Sequence, residues 1–131
     1  MKRILTVLLA FGLCVSASAA SFTDTQTHWA KESIDYVTEK GLFKGTSDTT
    51  FSPELTTSRA MLCTVLYRYA GSPDISAENP FADVSDSSVF CDAIVWAAEN
   101  GITQGYDASH FRPGATCTRG QMVLFLYRAF A

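Results

Sequence analysis

Three absences narrow the chemistry open to this 131-residue chain. It has no Cys-x-x-Cys, and its two histidines, His28 and His110, stand far in sequence from any cysteine. The spacing that metal ligands need is missing, so neither a metal nor a cofactor is expected. It has no nucleophile elbow and no motif that pairs two carboxylates; aspartate and glutamate are scattered along it, which argues against an enzyme. It is also short of positive charge, with ten basic against thirteen acidic side chains and a net charge of −3. Bulk charge therefore gives a polyanion no reason to approach, and nucleic acid is not an expected partner.

The one long apolar run lies at the start. Lys2-Arg3 precede an apolar stretch from Ile4 to Val15, and Ala17-Ser18-Ala19 come next as a small-residue cleavage site. That pattern reads as a secretory signal peptide over 1–19, too short to span a membrane. Cys14 follows Leu13 rather than the small residue that lipid attachment favours, so it reads as an apolar-region cysteine lost on cleavage. Losing Lys2 and Arg3 leaves eight basic against thirteen acidic residues, a net charge of −5. Any bound anion must then be held by a local site. Three cysteines remain, Cys63, Cys91 and Cys117. An odd number cannot complete a disulfide framework, and small apolar fillers are the expected role.

What the chain does have is a repeat of 60 residues. Gly41-Leu42-Phe43-Lys44-Gly45 returns as Gly101-Ile102-Thr103-Gln104-Gly105, and Phe51-Ser52-Pro53 as Phe111-Arg112-Pro113. Ser58-Arg59-Ala60 returns as Thr118-Arg119-Gly120, and Leu66-Tyr67-Arg68 as Leu126-Tyr127-Arg128. The openers Phe22-Thr23-Asp24 and Phe81-Ala82-Asp83 are offset by one residue less. Such a period marks one supersecondary unit used twice, and units of this kind rarely bury their apolar faces alone. The division is a first repeat over 20–71, a linker over 72–80 and a second repeat over 81–131. Each repeat reads as two helices around an ordered loop. Ala30, Ile34 and Val37 share a face, as do Phe90, Ile94 and Ala97, and Gly41 and Gly101 act as left-handed caps. Leu62, Val65, Leu66 and Tyr69 are matched by Met122, Phe125, Leu126 and Ala129 at helical spacing. Phe51 and Phe111 are expected to anchor the loops, and Pro53 and Pro113 to stiffen them.

The second helix of each repeat opens on a distinctive pair. Ser58 and Thr118 are good N-caps, and Gln121 can complete a capping box with Thr118 where Met61 cannot with Ser58. Arg59 and Arg119 then occupy the first helical position, where a cation is mildly disfavoured by the helix dipole. An arginine placed there twice suggests an anion to meet it, with free backbone N–H groups and a planar guanidinium forming the pocket. The competing reading pairs each arginine with an acidic side chain such as Asp24 or Asp83.

This ordered set, with His28-Trp29 before the first helix, resembles the S-layer homology repeat of bacterial cell-surface proteins. The resemblance implies an all-α fold of tandem helix–loop–helix repeats forming part of a pseudo-threefold bundle. It implies a module of the cell wall or cell surface, non-covalently anchored through an anionic, peptidoglycan-linked secondary polymer. By position it makes Arg59 and Arg119 the anion-binding residues and Trp29 a groove wall against a sugar face. It places Gly45 and Gly105 where backbone approaches ligand, and leaves Asp24 and Asp83 to brace their repeats. For Trp29 the size of the ring favours core or groove-wall packing over ligand contact. Val89 holds the equivalent place in the second repeat. Two repeats instead of three leave an apolar flank, which implies a homo-oligomer or a partner carrying the missing unit. The alternative function is a secreted structural or assembly protein that keeps the fold but self-associates or binds a protein partner.

Overall fold

The computed structural model describes residues 21–131, so the segment read as a signal peptide lies outside the described residues. The fold is all-α. Its four helices are, in order, α1 (Lys31–Glu39), α2 (Arg59–Tyr69), α3 (Cys91–Glu99) and α4 (Arg119–Phe130), preceded by a 3₁₀ turn at Thr23–Thr25. Among the described residues no strand forms, only an isolated antiparallel bridge between Ser58 and Thr116.

The glycines stop α1 and α3 by the same device. The amide of Leu42 donates to the Val37 carbonyl (2.9 Å) and that of Gly41 to Thr38 (2.9 Å). Ile102 and Gly101 repeat both bonds on Ala97 (2.8 Å) and Ala98 (3.1 Å). This is the Schellman arrangement, and it requires the positive φ of 70° at Gly41 and 69° at Gly101, which glycine adopts without strain. The repeated Leu-Tyr-Arg then ties the second helix to the end of the first. Arg68 donates to the Leu42 carbonyl (3.1 Å) and Arg128 to Ile102 (3.5 Å).

Between helices each loop is held by its opening aspartate. Asp24 accepts the amides of Phe51 (2.9 Å) and Ser52 (2.7 Å); Asp83 accepts those of Phe111 (2.8 Å) and Arg112 (2.8 Å). Both carboxylates therefore brace the Phe-x-Pro turn, and the one-residue offset between the openers changes nothing there. Ser52 and Arg112 sit at φ 59° and 58°, left-handed without being glycine, and the paired aspartate bonds hold them in place. Gly45 and Gly105 have a packing reason of their own. A Cβ at Gly45 would stand 2.4 Å from the Phe22 ring, and one at Gly105 2.5 Å from the Phe81 ring.

The core is unevenly shared. α2 packs against α3, and Leu62, Cys63 and Leu66 meet Ala93, Ile94 and Ala97, with Phe81, Phe111 and Phe125 closing the cluster. The first repeat keeps a smaller cluster of its own around Ile34 and Phe22, where Phe51 stacks between Phe22 (5.4 Å) and Phe43 (6.1 Å). α1 is also more polar than α3. Lys31, Ser33 and Asp35 stand where α3 buries Cys91, Ala93 and Val95. Lys31 and Asp35 pair along the helix at 2.5 Å.

The loop aspartates make stability depend on acid. The amides of Phe51 and Ser52 hold Asp24 below its ordinary 3.8. At Asp83 burial pushes upward, but the amides of Phe111 and Arg112 together outweigh it and the net displacement is downward. The Ser109 amide, helped by the His110 side chain, lowers Asp107 to about 2. A carboxyl with a depressed folded pKa stabilises the fold above its unfolded value and loses that contribution as pH falls through the folded one. The urea midpoint is therefore expected to drop as pH falls from about 4 to about 2, where Asp107 is the last to titrate. Asp83→Asn should flatten that profile, and an unchanged slope would show that the braces are not ionised.

Candidate groove at the start of α2

Ser58 caps α2 by accepting the Met61 amide (3.1 Å), and Thr118 caps α4 by accepting that of Gln121 (3.2 Å). The Thr118 amide donates in return to Gln121 Oε1 (3.1 Å), so the capping box is complete in α4 alone.

Beyond the caps the two repeats differ. The loop of the second repeat lies across the start of α2, and the amides of Arg59 and Ala60 donate to the carbonyls of Ala115 (2.9 Å) and Pro113 (3.1 Å). Cys117 returns a bond to Thr57 (2.9 Å). The free helix-start N–H groups expected from sequence are therefore occupied at α2. Among the described residues no loop lies over α4 in the same way.

The two arginines separate accordingly. Arg59 is only 4% exposed. Its Nε donates to the Phe111 carbonyl (2.8 Å), and its guanidinium carbon sits 4.7 Å from the Phe111 ring centre and 5.4 Å from that of Phe125. Nη2 is buried and has no hydrogen-bond partner. Arg119 is exposed. Pairing of the motif arginines with Asp24 or Asp83 does not occur: both carboxylates are engaged by loop amides, and no ion pair of Arg59 or Arg119 forms among the described residues.

Two thiols border Arg59. Burial pushes Cys63 up to about 12, against a smaller downward pull from Arg59. Cys117 is raised for the same reason and opposed by the same cation. Cys63, Cys91 and Cys117 are all free, and the first two are buried, as small fillers should be.

Trp29 corrects an expectation. It is 90% exposed, so it packs in neither core nor wall, and its one aromatic neighbour is His28 at 5.4 Å. His28 itself is fixed between the Ala30 amide, which donates to Nδ1 (3.1 Å), and Glu54 on Nε2 (2.7 Å). Val89, the counterpart of Trp29 in the second repeat, is likewise exposed. The structure thus brings Arg59 together with Phe111 and Phe125, and leaves Trp29 and Arg119 in solvent. Gly45 and Gly105 lie against the rings of Phe22 and Phe81, the phenylalanines that open their repeats. Sequence reasoning missed the Phe111 carbonyl as Arg59's acceptor, since no side-chain pattern marks a backbone oxygen 52 residues away.

These features define a class: tandem helix–loop–helix repeats whose motif arginine opens the second helix and meets the loop of the next repeat. The model of the S-layer homology domain matches residues 21–60 and 80–123, more than half of the chain. The chain belongs to the S-layer homology domain family. It is 32% identical over 127 residues to a surface-layer 125 kDa protein of Lysinibacillus sphaericus, covering 94% of this chain and 10% of that one. It is 29% identical over 120 residues to a cellulosome-anchoring protein of Acetivibrio thermocellus (86% and 26%). An amylopullulanase of Thermoanaerobacterium thermosulfurigenes matches at 29% over 110 residues (84% and 6%). The chain therefore spans a small part of these relatives' length. Such relatives support a module of the bacterial cell surface, and the enzyme among them is matched over too little of its length to lend this chain its activity.

Proposed function

We propose that the protein is exported by residues 1–19 and anchors non-covalently to the bacterial cell wall by binding an anionic, peptidoglycan-linked secondary polymer. The observation that carries this reading is the buried, unpartnered Nη2 of Arg59. A buried donor left without an acceptor costs about 1–3 kcal/mol, which an arriving carboxylate or phosphate oxygen would recover. Phe111 and Phe125 form an apolar floor beneath the guanidinium, a planar and weakly hydrated cation suited to such a surface. Trp29, free in solvent, offers a face to a sugar ring. Arg119 begins the same site at α4 but lacks the loop that would complete it.

The test is sedimentation of the protein with purified wall sacculi, before and after the secondary polymer is stripped. Binding should disappear with the polymer, and binding that survives stripping would end this reading. The open face of α4 favours a second role, in assembly.

A further inference from the structure

In each loop the residue after the glycine meets the left-handed residue of the Phe-x-Pro turn. In the first repeat these are Thr46 and Ser52, whose hydroxyls bond at 2.6 Å. In the second they are Tyr106 and Arg112, and the Arg112 guanidinium carbon lies 3.4 Å from the centre of the Tyr106 ring. So short a separation leaves no room for a tilted guanidinium, whose nitrogens would enter the ring, so the group lies parallel to it. The turn itself is braced alike in both repeats, by Asp24 and by Asp83. Two small hydroxyls therefore suffice to close such a loop. The larger pair adds what closure does not require: a guanidinium fixed on an exposed ring with its edge in solvent.

No acid takes up that edge. Asp83 is occupied by the turn amides, and Asp107 by the amides of Ser109 (2.9 Å) and His110 (2.9 Å). The Arg112 guanidinium forms neither a hydrogen bond nor an ion pair among the described residues. Charge along the chain is also divided. From Tyr69 to Asp107 there are acids and neither lysine nor arginine, and from Ala108 to Ala131 there are arginines and no acid. Arg59 joins that second tract from outside, because its Nε donates to the carbonyl of Phe111, the residue before Arg112. Two cations thus flank one peptide unit with no carboxylate between them, an arrangement that an arriving anion stabilises.

We infer that Arg112, held on Tyr106, is a second oxyanion contact beside Arg59, taking a carboxylate or phosphate carried on a glycan. Stacking fixes the planar fork before the ligand arrives, so little side-chain freedom is lost on binding. Arg119 has no ring against it and lacks that advantage. The identity of the glycan rests on the anchoring proposal, whereas the contact itself does not depend on Arg59.

The double exchange Tyr106→Thr with Arg112→Ser installs the pair that the first repeat already uses, so its urea midpoint should stay close to that of the unaltered protein. Its sedimentation with wall sacculi should weaken by about tenfold, as should that of Arg112→Gln, while Tyr106→Phe keeps the ring and the binding. Titration with inorganic phosphate and with acetate, followed at the Arg112 Nε–H signal by nuclear magnetic resonance, separates the two anions: the one that moves the signal is the chemistry recognised. Undiminished sedimentation of the doubly exchanged protein would overturn the inference, and so would a signal indifferent to both anions. Arg59→Ala should leave the anion response of Arg112 in place. Binding that survives removal of the secondary polymer ends the anchoring proposal alone, provided the double exchange still weakens it; if the exchange has no effect there, this inference falls too.

Discussion

Arg59→Ala is expected to abolish sedimentation with wall sacculi, while Arg119→Ala weakens it by no more than about threefold, because a half-built site contributes little to binding. The two residues hold the same place in the same motif, so a sequence would assign them equal weight. Their surroundings do not. Arg59 lies under the second repeat's loop with one nitrogen committed to Phe111 and another left without a partner, and Arg119 lies in water. A charge-assisted bond in a desolvated site is worth about 1.5–3 kcal/mol, so its loss should weaken binding by about tenfold to a hundredfold per bond. In solvent the same bond competes with water and salt and contributes little. Arg59→Met separates chemistry from packing, since it keeps an apolar stem over Phe111 and Phe125 while removing every donor. Arg59→Lys keeps the charge but not the planar fork, and should recover only part of the binding. Equal losses in the Arg59→Ala and Arg119→Ala proteins would show that the covered geometry of Arg59 is irrelevant.

That asymmetry also marks the limit of what the amino-acid order alone reveals. The helices, their glycine stops and the one-sided capping box were legible because each is local: Gly41, Gly101, Ser58 and Gln121 act within a few residues of themselves. The bracing aspartates were legible because they recur with the turns they hold. Neither the Phe111 carbonyl nor the fate of the helix-start amides was legible, because both depend on how one repeat lies on the next. Trp29 misled for a related reason. Size argues for burial on average, but among the described residues only His28 lies against the ring, and it stays outside.

Phe111→Ala is expected to cost about 3–5 kcal/mol, a large share of the roughly 5–15 kcal/mol that holds a domain of this size together. Phe51→Ala, at the equivalent position, should cost clearly less. Phe111 is fully buried in the main cluster and stacks on Phe81 at 5.5 Å, whereas Phe51 is half-buried in the small cluster of the first repeat. Removing the Phe111 ring opens a cavity between the repeats, at the residue whose amide is held by Asp83 and whose carbonyl holds Arg59. The backbone bonds can persist in the alanine variant, but the guanidinium loses the surface it lies on. Stability and binding should therefore fall together for Phe111→Ala, and Phe51→Ala should lower stability alone. Urea unfolding of both variants, paired with sedimentation on sacculi in the absence of denaturant, measures the two effects separately. If Phe51→Ala proves as destabilising as Phe111→Ala, the core is shared evenly between the repeats and the second repeat's loop is not what organises the groove.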